Sequence, residues 1–149
     1  IKPELGTLHI GMLQDAKQYL LQEVEQPWYF DVPIGVHGCG PGKLELMQVM
    51  VNELPSGALW QAICGGRNWL ALSVHAVLLG CDVVRVGKEE SVYVYPDRDT
   101  KLNRIADSVR MIRTIAEELG REVCSPTEAR KILGLKPVPP GRGAKHGRR

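Results

Sequence analysis

No apolar run in the 149-residue chain approaches the ~18 residues that a membrane span requires, so no segment is expected to cross a bilayer. Residues Ile1 to Leu5 lack the charged and apolar regions of a signal peptide. The chain starts at Ile1 rather than Met and is read as a piece of a longer polypeptide. Cysteine is sparse: Cys39, Cys64, Cys81 and Cys124 contain no C-x-x-C pair, which argues against a zinc knuckle and a redox dithiol. Each lies in or beside an apolar run, and the expectation is buried thiols in a reducing cytoplasm. Collagen, a disulfide-dense mini-protein and disorder throughout are excluded by the composition.

What is present is one domain's worth of chain, 44% hydrophobic, with enough apolar residues for a core. Its net charge of +2 hides an asymmetry. Residues 136–149 carry Lys136, Arg142, Lys145, Arg148 and Arg149 with no acid, which leaves residues 1–135 at 14 basic and 17 acidic groups, net −3. The Pro/Gly-rich tail could touch nucleic acid or anionic lipid through counterion release. The preferred reading is a solvated, disordered terminus, with no nucleic-acid and no membrane partner.

Four short segments rich in β-branched and aromatic residues read as strands: Leu5 to Ile10, Tyr29 to Val36, Ala58 to Cys64, and Asp82 to Gly87. Each precedes a stretch of helical periodicity. After the second, Gly40 and Pro41 suggest a helix start, with Leu44, Met47, Val51 and Leu54 on one face. After the fourth, Leu102, Ile105, Val109, Ile112, Ala116 and Leu119 recur at spacings of three and four, closed by Gly120. A last helix opens with Ser125-Pro126-Thr127-Glu128, in which the Ser hydroxyl and the Glu carboxylate can cap each other's backbone amides. The alternation implies an α/β protein of parallel strands. It fits either a small doubly wound sheet or half of an eight-fold barrel.

In both architectures chemistry gathers at the carboxyl ends of the strands. The second strand runs into Gly35-Val36-His37-Gly38-Cys39-Gly40-Pro41-Gly42-Lys43, where the glycines would let a ligand approach the backbone closely. The Walker pattern fails because His37 stands where its first glycine belongs and Leu44 follows Lys43; the dinucleotide fingerprint lacks its third glycine. His37 and Cys39 are two potential metal ligands, too few for a site, and an ordinary loop is preferred. After the third strand, Arg67 follows two glycines and could pair with a carboxylate or phosphate of a ligand, or form a surface salt bridge. In the fourth, alternation sends Arg85 to the face opposite Val84 and Val86 on a strand that reads as central. Glu89 and Glu90 follow at the mouth, where carboxylates can bind a metal or move a proton. A solvated turn would look the same.

Several of these stretches, in order and with their spacing kept, resemble the carboxyl-terminal half of the β-keto acid cleavage enzymes, the 3-keto-5-aminohexanoate cleavage protein family. They are Lys2-Pro3-Glu4-Leu5 leading to Gly11-Met12, Leu54-Pro55-Ser56-Gly57-Ala58 with Trp60, Gly66-Arg67, Arg85-Val86-Gly87 with Glu89, and Ala116 to Val123 continuing through Pro126 to Leu135. The resemblance runs from Lys2 to Leu135.

The resemblance implies the last four units of a TIM-type (β/α)8 barrel over residues 1–135, present as a partial barrel. It implies a zinc site with Glu89 as a ligand. The family's His-x-His pair is missing, since His9, His37, His75 and His146 stand alone. It implies cleavage of a β-keto acid with acetyl-CoA as co-substrate, giving acetoacetate and a new CoA thioester by a retro-Claisen step. Arg85 matches the family's catalytic Arg, and Glu90 stands where the family generally has Asp. Glu4 matches an acid that faces the substrate in amino-substituted members, and Arg67 is the second expected substrate-binding residue. Departures at His37 to Lys43 and at Tyr95-Pro96-Asp97-Arg98-Asp99 would both face the mouth and leave substrate choice open. The alternative is a non-catalytic half-barrel. Both readings expect association, as a homo-oligomer or with the missing barrel half, because open sheet edges and an apolar face would be exposed.

Overall fold

The computed structural model describes residues 2–137, so all but the first two residues of the tail expected to be disordered over 136–149 lie outside the described residues. Strands β1 (Leu5–Gly6), β2 (Tyr29–Ile34), β3 (Leu59–Cys64) and β4 (Val83–Arg85) form one parallel sheet in the order β1-β2-β3-β4. Between and after them lie α1 (Ile10–Asp15), which runs into a π-helical turn at Ala16–Leu20, then α2 (Leu44–Asn52), α3 (Trp69–Leu78), α4 (Ile105–Glu118) and α5 (Pro126–Ile132). Every strand lies beside its sequence neighbour. The reversal of strand order that creates the crevice of a doubly wound sheet does not occur among the described strands. No helix among the described residues is long and apolar enough to cross a membrane.

The period of two along the strands sorts the sheet into two faces. Phe30, Val32 and Ile34 of β2 and Trp60, Ala62 and Cys64 of β3 are all at most 4% exposed. Register pairs Phe30 with Trp60, Val32 with Ala62 and Ile34 with Cys64, so apolar side chains run in rows across the sheet. Onto these rows pack Leu13 and Ala16, Met47 and Met50 of α2, Leu72 and Ala76 of α3, and Ile112 and Ala116 of α4, as one cluster. Burying a side chain such as Phe30 contributes about 1.5–3 kcal/mol. The intervening residues Asp31, Pro33, Gln61, Ile63 and Arg85 take the other face.

Local signals set the element ends. Ser125 Oγ accepts the Glu128 N–H at 3.3 Å while the Ser125 N–H donates to Glu128 Oε2 at 2.8 Å, the reciprocal cap expected at α5. Gly120 ends α4 at φ +78°. β1 stops at Gly6, shorter than the expected Leu5 to Ile10, because His9 turns extended and caps α1, its Nδ1 accepting the Met12 N–H at 3.4 Å. α2 begins after Lys43, not at Gly40. Gly40 instead bridges to Ile34 and lies against the Leu46 side chain, where a Cβ would collide. Leu102 is buried but precedes α4; its N–H donates to the Val92 carbonyl at 2.8 Å. β4 is an edge strand of the described sheet, not a central one.

Candidate active site

The carboxyl ends of β2 and β3 are held together by two glycines. A Cβ on Gly35, whose φ is +72°, would lie 2.7 Å from the Gly65 carbonyl oxygen, and one on Gly65 would lie 2.6 Å from that of Gly35. Packing therefore accounts for Gly35, and the loop closes on itself through Gly35 N–H to the Gly40 carbonyl at 2.9 Å. One residue on, the Gly66 N–H donates to the Glu90 carbonyl at 2.9 Å, which ties the β3 loop to the β4 loop.

Between these ends a cavity of ≈ 220 Å³ is lined by Asp31, Pro33, Ile63, Arg85, Glu89 and Glu90, among others. Arg85 projects from β4 onto this face because Val84 and Val86 turn to the helices. Its guanidinium spans two carboxylates, Nη2 donating to Glu89 and Nε lying 2.7 Å from Glu90 Oε1. The partners differ in setting. The Glu89 side chain is 82% exposed and that of Glu90 3%. Glu90 Oε1 touches Arg85 without an aligned hydrogen bond, so a buried carboxylate oxygen keeps accepting capacity inside the cavity.

Below this trio is a second polar group, of which sequence reasoning named only Glu4. Register places Asp31 beside Gly6 and Gln61. Gln61 Nε2 donates to Asp31 Oδ1 at 2.8 Å and to Glu4 Oε1 at 2.9 Å, while Tyr29 Oη donates to Gln61 Oε1 at 2.8 Å. Burial, then the hydrogen bond and charge of Glu4, push Asp31 up to about 7, against the opposing pull of Gln61 and Arg85. Burial and the negative charges of Glu4, Asp31 and Asp82 likewise raise the Tyr29 hydroxyl. Asp31 can thus hold or release a proton near neutrality, in the same cavity as Arg85. The available signal was polarity out of place: Asp31 and Gln61 each interrupt an apolar strand at the phase of Arg85.

The structure brings Arg85, Glu89 and Glu90 together and reaches Glu4 through Gln61. Arg67 lies outside this group. Its Nη2 is 2.7 Å from Asp99, its Nη1 donates to the Arg98 carbonyl at 3.3 Å, and its guanidinium stacks 3.7 Å above the Tyr93 ring. A larger depression, ≈ 490 Å³ along Glu117 and Gly120 to Val123, contains none of these residues. For a divalent metal, Glu89 is the expected ligand. Its carboxylate is engaged by Arg85, and no group of three His, Cys, Asp or Glu gathers among the described residues, His37 and Cys39 included. These residues do not by themselves fit a zinc ion.

Similarity to known proteins extends along the chain. The family model described as beta-keto acid cleavage enzyme matches residues 1–135. A 3-keto-5-aminohexanoate cleavage enzyme of Fusobacterium nucleatum is 33% identical over 137 residues, covering 91% of this chain and 48% of the relative. A 3-dehydrocarnitine:acetyl-CoA trimethylamine transferase of Rhizobium meliloti is also 33% identical over 137 residues, covering 91% of the chain and 44% of the relative. A 3,5-dioxohexanoate:acetyl-CoA acetone transferase of Paraburkholderia graminis is 35% identical over 104 residues, 69% of the chain and 33% of the relative. The chain spans about half the length of the first of these relatives. With the model matching nearly the whole of the described sheet and helices, the chain belongs to the beta-keto acid cleavage enzyme family.

Proposed function

We propose that this chain carries the cleavage half of an enzyme that reacts a β-keto acid with acetyl-CoA, giving acetoacetate and a new CoA thioester. The observation that carries the reading is the Arg85 guanidinium between Glu89 and Glu90 in a cavity at the strand ends. Arg85 offers a cation to the carboxylate and to the enolate charge that develops when the carbon between the two carbonyls loses a proton. Glu90, shielded from solvent and short of one aligned hydrogen bond, is the group that takes that proton. No step is routed through a metal, because Glu89 alone does not make a site; further ligands would come from another chain segment.

Glu4 and Asp31 suggest the substrate class. Two carboxyl groups joined through Gln61 favour a β-keto acid whose far end carries an amino group or another hydrogen-bond donor. The names of two relatives contain an amino or a trimethylamine group. The sheet order supports a partial barrel, since four parallel strands in sequence order with helices on one face are the repeating unit of a barrel wall. Its partner would be the missing half or a second copy. The four unpaired thiols support a cytoplasmic setting. The second reading, a non-catalytic half-barrel, is favoured by one observation, the incomplete ligand set around Glu89.

The test is turnover. The chain, alone and mixed with the separately expressed amino-terminal half of a relative, is incubated with acetyl-CoA and a panel of β-keto acids, and new CoA thioesters are followed by mass spectrometry. Thioester formation that disappears in Arg85→Ala supports the proposal. Assembly of a soluble complex with no thioester from any member of the panel supports the non-catalytic reading.

A further inference from the structure

The hairpin-like loop Val92–Leu102 contributes no residue to the lining of the cavity, yet it is built as a platform. Val94 N–H donates to the Thr100 carbonyl at 2.9 Å and Leu102 N–H to the Val92 carbonyl at 2.8 Å, and Tyr93 bridges Lys101. Trp69 Nε1 at the start of α3 donates to the Tyr93 carbonyl at 2.8 Å, fixing the base. On this frame two guanidinium groups lie over two tyrosine rings: Arg67 over Tyr93 at 3.7 Å and Arg98 over Tyr95 at 5.3 Å. Tyr95 and Arg98 are exposed. Lys101 and Lys88 are exposed cations with no ion pair among the described residues.

From this arrangement we infer that the loop Val92–Leu102, with Arg67, binds the phosphoadenosine end of coenzyme A, the adenine on Tyr95 and the phosphates on Arg98 and Lys101. The inference rests on the proposed use of acetyl-CoA. Two general facts support it. Every nucleobase presents a π face to an aromatic ring, and Arg matches phosphate with a planar fork of donors. In β/α barrels, moreover, phosphate sites recur at the loops after the last two strands, and on the partial-barrel reading proposed above these are the loops that hold Arg67 and Arg98. The acids in the loop do not oppose this. Asp97 lies 3.9 Å from Arg98 and Asp99 2.7 Å from Arg67, and all four side chains are at least 42% exposed. Such exposed pairs are weak and exchange readily for a phosphate. Glu89 and Glu90 immediately precede the loop, so a nucleotide held there leaves the thioester arm to run toward the cavity.

The experiment titrates the purified protein with coenzyme A and with adenosine 3′,5′-bisphosphate by calorimetry. Arg98→Ala and Tyr95→Ala are expected to weaken both about tenfold, the loss of one charge-assisted contact or one stack. Tyr95→Phe, which keeps the ring, is expected to bind as the unmodified protein does. Unchanged affinity in Arg98→Ala and Tyr95→Ala, with circular dichroism confirming the fold, overturns the inference; so does absence of binding by the unmodified protein. Turnover of a β-keto acid with no effect of either variant on coenzyme A affinity sinks this inference alone. Bisphosphate binding that requires Tyr95 and Arg98, in a protein that shows no turnover even when mixed with the amino-terminal half of a relative, sustains it and removes the cleavage reading instead.

Discussion

The two faces of the sheet are made from the same strands and have opposite chemistry. Phe30, Val32, Trp60 and Ala62 face the helices and are nearly inaccessible, while Asp31, Gln61 and Arg85, one residue out of phase, share a polar surface with Glu4 and Glu90. A single parity therefore divides residues that hold the fold from residues that can do chemistry. A slip of one residue would exchange the two sets, so the apolar face also fixes the register that brings Asp31, Gln61 and Glu4 together.

The largest effect that would separate the faces comes from the apolar side. Phe30→Ala is expected to destabilise the fold by about 3–5 kcal/mol, read by urea unfolding, because it opens a cavity where a fully buried side chain pairs with Trp60. A loss under 1 kcal/mol would mean that the helices do not depend on that pair. Arg85→Lys keeps the charge but loses the fork between Glu89 and Glu90; turnover should fall about 100-fold with melting little changed. Comparable losses in both would show that the polar face also carries the fold.

Asp31 gives a subtler contrast. Its raised value means the folded protein holds a proton that the unfolded chain has already released, so the contribution of Asp31 to stability is greatest below pH 3.8 and declines as pH rises from 3.8 to about 7. Asp31→Asn should flatten that part of the profile and stabilise the protein at pH 7.5 by on the order of 1 kcal/mol, discounted because the side chain is only half buried. A decline of the same size in the variant would assign it to other groups. The smallest effect concerns the thiols. Burial pushes Cys64 up to about 11 and Cys81 to about 12, whereas Cys124 is exposed. A disulfide reagent should modify Cys124 first and reach Cys64 and Cys81 only on unfolding. Early reaction at Cys64 would show that the apolar face opens under native conditions.

The apolar segments that form β2 and β3, the reciprocal cap of Ser125 with Glu128, the stop at Gly120 and the out-of-phase Arg85 were all legible, because each depends on neighbours within a few positions. The short β1 was not, because the capping role of His9 competes with an apolar stretch that reads equally well as strand. Nor was the α2 start, because Gly40 bridges to Ile34 and abuts the Leu46 side chain ahead of the helix and does not cap it. That Asp31 and Gln61 join Glu4 in one group escaped notice for a different reason. Its members are 27 or more positions apart and meet only through strand register, which a linear pattern does not encode. Arg67 showed its cation in the sequence but not its partner, since Tyr93 and Asp99 arrive from the loop after the next strand.

The contact between Gly35 and Gly65 has a consequence for how the mouth can change. Two loops whose backbones touch where neither tolerates a methyl group are not independent modules. Altering one alone, by exchange with a relative or by random variation, shifts the carbonyl against which the other is seated, and through Gly66 it reaches the backbone of Glu90. Any redesign of this mouth must therefore move both loops together, as one unit.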